Sequence, residues 1–202
     1  MTKRNLALIA LAVAIIIETV WLATEKAEPH GFAFYSVTAF DVLFAALLIA
    51  GGRLRWLAGV LRIAIGLNFG LAVLDRFGVL GAYGSPAVSW GDWGHFVVYT
   101  RQVNAFLPES VAPALALAAT VYEIVLSVTL VLGIRTRVFL VAAAILLFLY
   151  GTAMTLSFGF ASQLAYGVIV LFAGSLLLST VDSTFLSIDS LLQKRLRTTR
   201  VV

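Results

Sequence analysis

Long apolar runs broken by short polar segments dominate this chain. Apolar windows between charged flanks predict six membrane-length helices, at 5–24, 31–51, 56–79, 113–134, 138–158 and 163–181. From Arg137 to Asp182, 44 consecutive residues carry no charge. As helix that stretch rises about 66 Å, twice a hydrocarbon core of about 30 Å, so it holds two crossings. The fold class expected is all-α, a polytopic transmembrane bundle. Lys3 and Arg4 ahead of the first window imitate a signal peptide. No small-x-small cleavage site follows before Glu25 and the apolar core runs too long, so the window reads as a retained span.

Two segments fit no span. In the connection at 80–112, Trp90, Trp93, Phe96 and Tyr99 recur every third position, a stripe suited to a short helix at the headgroup level or to an aromatic belt. At 182–202, Phe185, Ile188, Leu192 and Leu196 share one helical face beside Lys194, Arg195 and Arg197, which predicts an amphipathic, lipid-binding tail. The resulting organisation is an N-terminal hairpin at 1–55, a four-helix core at 56–181 and this basic tail.

Charge sets the orientation. With the N-terminus inside, Lys3, Arg4, Arg53, Arg55, Arg135, Arg137, Lys194, Arg195, Arg197 and Arg200 face the cytoplasm, against Lys26, Arg76 and Arg101 outside. Under the positive-inside rule both termini are expected in the cytoplasm. The net charge of +4 therefore belongs to loops, and nucleic acid is not an expected partner. Of the 202 residues, 61% are hydrophobic and 12% charged, which excludes a soluble domain and intrinsic disorder. Without cysteine there is no disulfide, no iron–sulfur cluster and no attachment for a c-type haem. The only histidines, His30 and His95, fall in predicted external segments, so an intramembrane haem is not expected. No pair has metal-ligand helical spacing, and no metal is expected.

Polar residues inside the spans are the first functional suspects, because each is costly in lipid without a partner. Asp41, Asn68 and Glu123 each lie 12 residues from an inner-boundary marker, Arg53, Trp56 or Arg135, at a depth of about 18 Å. With Glu18 and Tyr150 near the same level, they are expected to form one intramembrane layer. Its roles are either hydrogen bonding between helices, with Asn68 opposite Glu123, or a proton path or the polar head of a ligand cavity. Arg62 either snorkels to the inner boundary or reaches up toward Glu123. Gly66-x-x-x-Gly70 is a close-packing motif.

The segment Leu61-Arg62-Ile63-Ala64-Ile65-Gly66-Leu67, then Gly70 and Leu74-Asp75-Arg76-Phe77, resembles the opening helix of the DoxX family of small bacterial and archaeal membrane proteins. Phe106-Leu107-Pro108 resembles the end of that family's external loop. Glu123, Gly133 and Thr136-Arg137 match its second helix, with Ser127 where glycine is expected, and Leu186-Ser187-Ile188-Asp189-Ser190-Leu191-Leu192 is similar to its closing motif. The likeness spans about residues 57–193 and leaves the first two spans outside. It implies a four-helix core in the inner membrane of a prokaryote. The family takes its name from a relative of a thiosulfate:quinone oxidoreductase subunit, so quinone is the cofactor implied. Related bundles that perform quinone-linked thiol chemistry use cysteines, and that mechanism does not carry over.

Two functions compete. One is a membrane subunit of a quinone-linked redox system, with an outer-face ligand site at Asp75, Arg76, Trp90, Trp93, His95, Tyr99 and Arg101, cations for an anion or carbonyl and rings for stacking. In that reading Asp75-Arg76 belongs to an external binding site; its bland counterpart is a solvated helix end. The other is a non-catalytic assembly, anchoring or scaffold protein whose N-terminal hairpin docks on other membrane subunits. A small lipid or solute carrier ranks below both, since no inverted repeat is evident and few helices read as broken.

Overall fold

The computed structural model describes residues 2–24 and 32–192. Eight α-helices follow in order: α1 (Lys3–Thr24), α2 (Phe32–Ile49), α3 (Arg55–Arg76), α4 (Trp93–Val103), α5 (Ala112–Leu132), α6 (Thr136–Phe158), α7 (Phe160–Ala165) and α8 (Val168–Thr180). No strand occurs among the described residues. Four of these helices, α1, α3, α5 with its preceding turn, and α6, are long and apolar enough to cross a membrane. The second predicted span appears as the 18-residue α2.

The sixth is not a continuous helix. Gly167 turns the chain at φ +65° between α7 and α8, and α8 has 13 residues, a rise of about 20 Å. An apolar window cannot register this break, because the residues around the turn are as hydrophobic as a helix interior. α8 takes the middle of the bundle: Val168, Val170, Leu171, Ala173, Gly174, Leu177 and Leu178 are all buried. It packs on α6 and α1 and touches α2 and α3, which explains why it is apolar all round. Gly174 lets the Phe44 ring of α2 close on it; a Cβ there would lie 2.2 Å from Phe44 Cζ.

α3 and α5 form the other tight pair. Both glycines of the Gly66-x-x-x-Gly70 motif face α5: a Cβ at Gly66 would sit 3.0 Å from Leu130 Cβ, and one at Gly70 2.7 Å from Ser127 Oγ. Ser127, where the family resemblance led us to expect glycine, fills the space that Gly70 leaves.

At the arginine-rich end a strap closes the bundle. Arg62, fully buried, donates from Nη2 to the carbonyls of Phe185 and Leu186, both at 3.0 Å. Asp189 then accepts from the amides of Arg135 (2.9 Å) and Thr136 (2.8 Å), an anion on the N-terminus of α6. Arg62 therefore turns away from Glu123. Residues 182–187 are not helical, so Phe185 does not share a helical face with Ile188; its carbonyl is free for Arg62 because no helix consumes it. A helix begins at Ile188. Leu196 and the tail cations from Lys194 to Arg200 lie outside the described residues, as do Lys26, Glu28 and His30.

Candidate functional site

The polar residues expected in one layer form two separate groups. The first joins α3, α5 and α6. Arg76 Nη2 pairs with Glu123 Oε2 at 2.6 Å, with both side chains at most 3% exposed. Arg76 Nη1 donates to Thr120 Oγ1 at 3.0 Å, and the Tyr150 hydroxyl donates to Glu123 Oε1 at 2.5 Å. Helix direction accounts for the pairing. Side chains lean toward their helix N-terminus, so on antiparallel helices Arg76 leans into the bundle while Glu123 leans toward the α4 end, and they meet. Asn68, eight residues before Arg76 on the same helix, is bypassed.

The aromatic connection roofs this group. Asp75 accepts the backbone N–H groups of Ser89 (2.9 Å), Trp90 (3.3 Å) and Gly91 (3.1 Å), which draws the loop over the end of α3. Gly91 is forced by that turn: its φ is +67°, and a Cβ would stand 2.2 Å from the Tyr83 amide nitrogen. Asp92 caps α4 by accepting from the His95 amide at 2.9 Å. That hydrogen bond, then the one from the His95 ring, holds the Asp92 carboxyl below its ordinary range. The Phe96 ring lies 3.8 Å from Arg76 Cζ and the Trp90 ring 5.2 Å. Ser157 Oγ donates to the Val103 carbonyl at 2.7 Å and ties the far end of α4 to α6.

The outer-face residues are thus distributed differently from the expectation. Asp75 and Arg76 are buried, at 5% and 2% exposure, so neither forms a solvated rim. His95 bonds Asp92 at 2.7 Å and stacks on Tyr83 at 3.9 Å. Arg101 pairs with Glu109. Trp93 stacks on Phe77, and Tyr99 lies between Trp90 and Phe158. Burial, with Tyr166 adding, pushes the Tyr99 hydroxyl up to about 12, so it stays a neutral phenol. Among the described residues, the Arg76 and Arg101 cations of this face are engaged by Glu123 and Glu109.

The second group lies between the N-terminal hairpin and the core. Glu18 of α1, Asp41 of α2 and Asn68 of α3 line a cavity of about 20 Å³ with Val37, Phe40, Tyr166 and Gly167. Glu18 is fully buried. Neither of its carboxyl oxygens, nor Asp41 Oδ1, has a side-chain hydrogen-bond partner among the described residues; the Val170 backbone N–H, in the first turn of α8, acts on Glu18.

Sequence reasoning missed a third feature, a groove of about 350 Å³ between α6, α7 and α8. Phe148, Phe160 and Phe172 wall it, and Thr152, Thr155 and Gln163 are its polar positions. Gln163 Nε2 donates to Thr155 Oγ1 at 2.9 Å. The groove exists because of the helix break, the same feature the apolar window hid. Among the described residues no group of three His, Cys, Asp or Glu side chains is placed to hold a metal ion. No family model, curated protein or solved structure matches this chain, so function is argued from these three sites.

Proposed function

We propose that the protein is a multi-pass membrane component of a quinone-linked redox system, with both termini in the cytoplasm and the quinone head held in the groove of α6, α7 and α8. The groove carries this reading. Its volume of about 350 Å³ falls within the range of small-molecule sites, and a lipid-soluble ring fits walls of phenylalanine with a few polar groups at one side. A quinone carbonyl would accept the Gln163 N–H that now goes to Thr155. The redox class itself comes from the DoxX resemblance. The test is photocrosslinking of an azido-quinone to the purified protein in lipid nanodiscs. Adducts are expected on α6 to α8, and Gln163→Leu should weaken binding about tenfold, the worth of one hydrogen bond. Absence of saturable labelling in the unaltered protein would remove the proposal.

The alternative, a non-catalytic assembly or anchoring subunit, draws on α1. Its buried side, Ala7, Leu11, Ala14 and Glu18, packs inward, and an opposite stripe of Leu6, Ile9, Val13, Ile16 and Val20 stays exposed for lipid or for another subunit. Stable co-purification of a second membrane chain, lost when that stripe is altered, would favour it.

A further inference from the structure

We propose that Glu18 and Asp41 form a proton-exchange site inside the membrane, holding one proton between them and releasing it through the face where Tyr166 is exposed. This stands apart from the quinone groove and needs no ligand there.

Four observations carry it. Glu18 is fully buried and lines the cavity, with no side-chain partner among the described residues; the backbone N–H of Val170, in the first turn of α8, acts on it. Asp41 faces the same cavity with its own unpartnered Oδ1, close enough for two negative charges to repel. The cavity, at about 20 Å³, has room for a single water, enough to bridge two carboxyl groups. The helix break falls on this site: a Cβ on Gly167, the residue before α8, would lie 3.3 Å from Glu18 Oε1. That places the positive N-terminal end of α8 at Glu18, which favours the carboxylate formed when the proton leaves.

The surrounding charges leave the pair to itself. α2 contributes Asp41, α3 contributes the neutral Asn68, and the α7–α8 turn contributes Tyr166; among the described residues no Lys, Arg or His lines the cavity. Arg62 is engaged by the strap and Arg76 by Glu123. Two uncompensated carboxylates in an apolar site cannot both stay ionised, so the pair keeps one proton, as adjoining carboxyl groups do. The cavity is too small for an organic ligand. Tyr166, which lines it, is 51% exposed. Binding is a simple transfer: a proton from water adds to one carboxylate oxygen, and the second carboxylate accepts a hydrogen bond from it directly or through the water.

Infrared difference spectroscopy of the full chain in lipid vesicles tests this. Between about pH 5 and about pH 10 the C=O stretch of a protonated carboxyl should be lost reversibly. The isosteric double variant Glu18→Gln/Asp41→Asn carries no charge to strand, so it should fold, and it should lack that signal. Asp41→Asn alone should move the loss of the band to lower pH, because the repelling neighbour is gone. Equal spectra for the double variant and the unaltered protein would overturn the proposal. So would removal of the band by sodium at fixed pH, which would make the site a metal-cation site.

Discussion

Two buried polar groups in one bundle have opposite states of completion. Around Glu123 the charge is met by Arg76 and Tyr150 and, through Arg76, Thr120, with only Arg76 Nε left without a hydrogen-bond partner in that trio of side chains around the carboxylate. Around Glu18 the described residues supply another carboxyl, the Asn68 amide, the Val170 backbone N–H and room for a water. Both acids are buried to the same degree, at 1% and 0% exposure. Burial therefore does not tell structural from functional here; the presence of a counter-charge does. The group bound to Arg76 fixes the register of three helices and anchors a lid, whereas the Glu18 group is left with a degree of freedom, its proton.

The largest effects should come from breaking the completed group. Arg76→Met or Glu123→Leu alone leaves one uncompensated buried charge and should cost about 3–5 kcal/mol. The double variant Arg76→Met/Glu123→Leu should recover most of that, since apolar replacement of a whole buried pair is close to neutral. Thermal unfolding in detergent measures both. A double variant as unstable as the singles would mean that the guanidinium matters through Phe96 and Trp90 rather than through Glu123.

A smaller loss should follow from opening the roof. Asp75→Asn gives up a charged acceptor of three backbone amides, at a cost of about 2 kcal/mol, and should speed hydrogen exchange at Ser89, Trp90 and Gly91. Exchange at Val170, beside the other group, should not change. At the arginine-rich end, Asp189→Ala removes the anion from the α6 N-terminus and should cost about 1 kcal/mol, leaving both polar groups as they are. Acid should act on the roof as well. The Asp92 carboxyl is held below its ordinary value near 3.8, so its cap on α4 is at full strength above that value and is lost as pH falls through the depressed one. Asp92→Asn should abolish that acid-dependent loosening of α4, read as exchange at His95.

The helices were legible because their signal is local. Hydrophobic windows located α1, α3, α5 and α6 to within a few residues of their observed ends, and Gly66 and Gly70 announced the α3–α5 contact. The turn at Tyr166–Gly167 was not legible, since it interrupts hydrogen bonding without interrupting hydrophobicity. Depth counting placed Glu123 level with Asn68 by Cα height alone. It ignored the reach of Arg76 and the lean of side chains on antiparallel helices, which move the true partner up one helix end. Asp75-Arg76 read as exposed for a related reason: a charged pair at a span end is solvated unless something covers it, and the cover comes from a loop whose path depends on Asp75 itself. Glu18 and Asp41 were singled out as costly residues, but no spacing rule contains their separation from Glu123.

The smallest effect on stability, and the one opposite in sign, belongs to the incomplete group. Glu18→Leu replaces a buried carboxyl that has no side-chain hydrogen-bond partner with a side chain of similar volume, so only the Val170 backbone N–H is given up and a desolvation cost is relieved. Asp41 then faces an apolar wall in place of a second carboxyl, which removes the repulsion between the two. Thermal stability should stay level or rise, by at most about 1 kcal/mol, where Glu123→Leu falls several times that far. The contrast holds composition constant, glutamate to leucine at equal burial, and varies only the neighbours. If Glu18→Leu were as damaging as Glu123→Leu, Glu18 would have to be holding the hairpin to the core, and the distinction between a completed and an open polar group would fail at its most direct point. If it is harmless to folding yet erases the proton signal, the cost of burying Glu18 has been kept in this sequence for something other than stability.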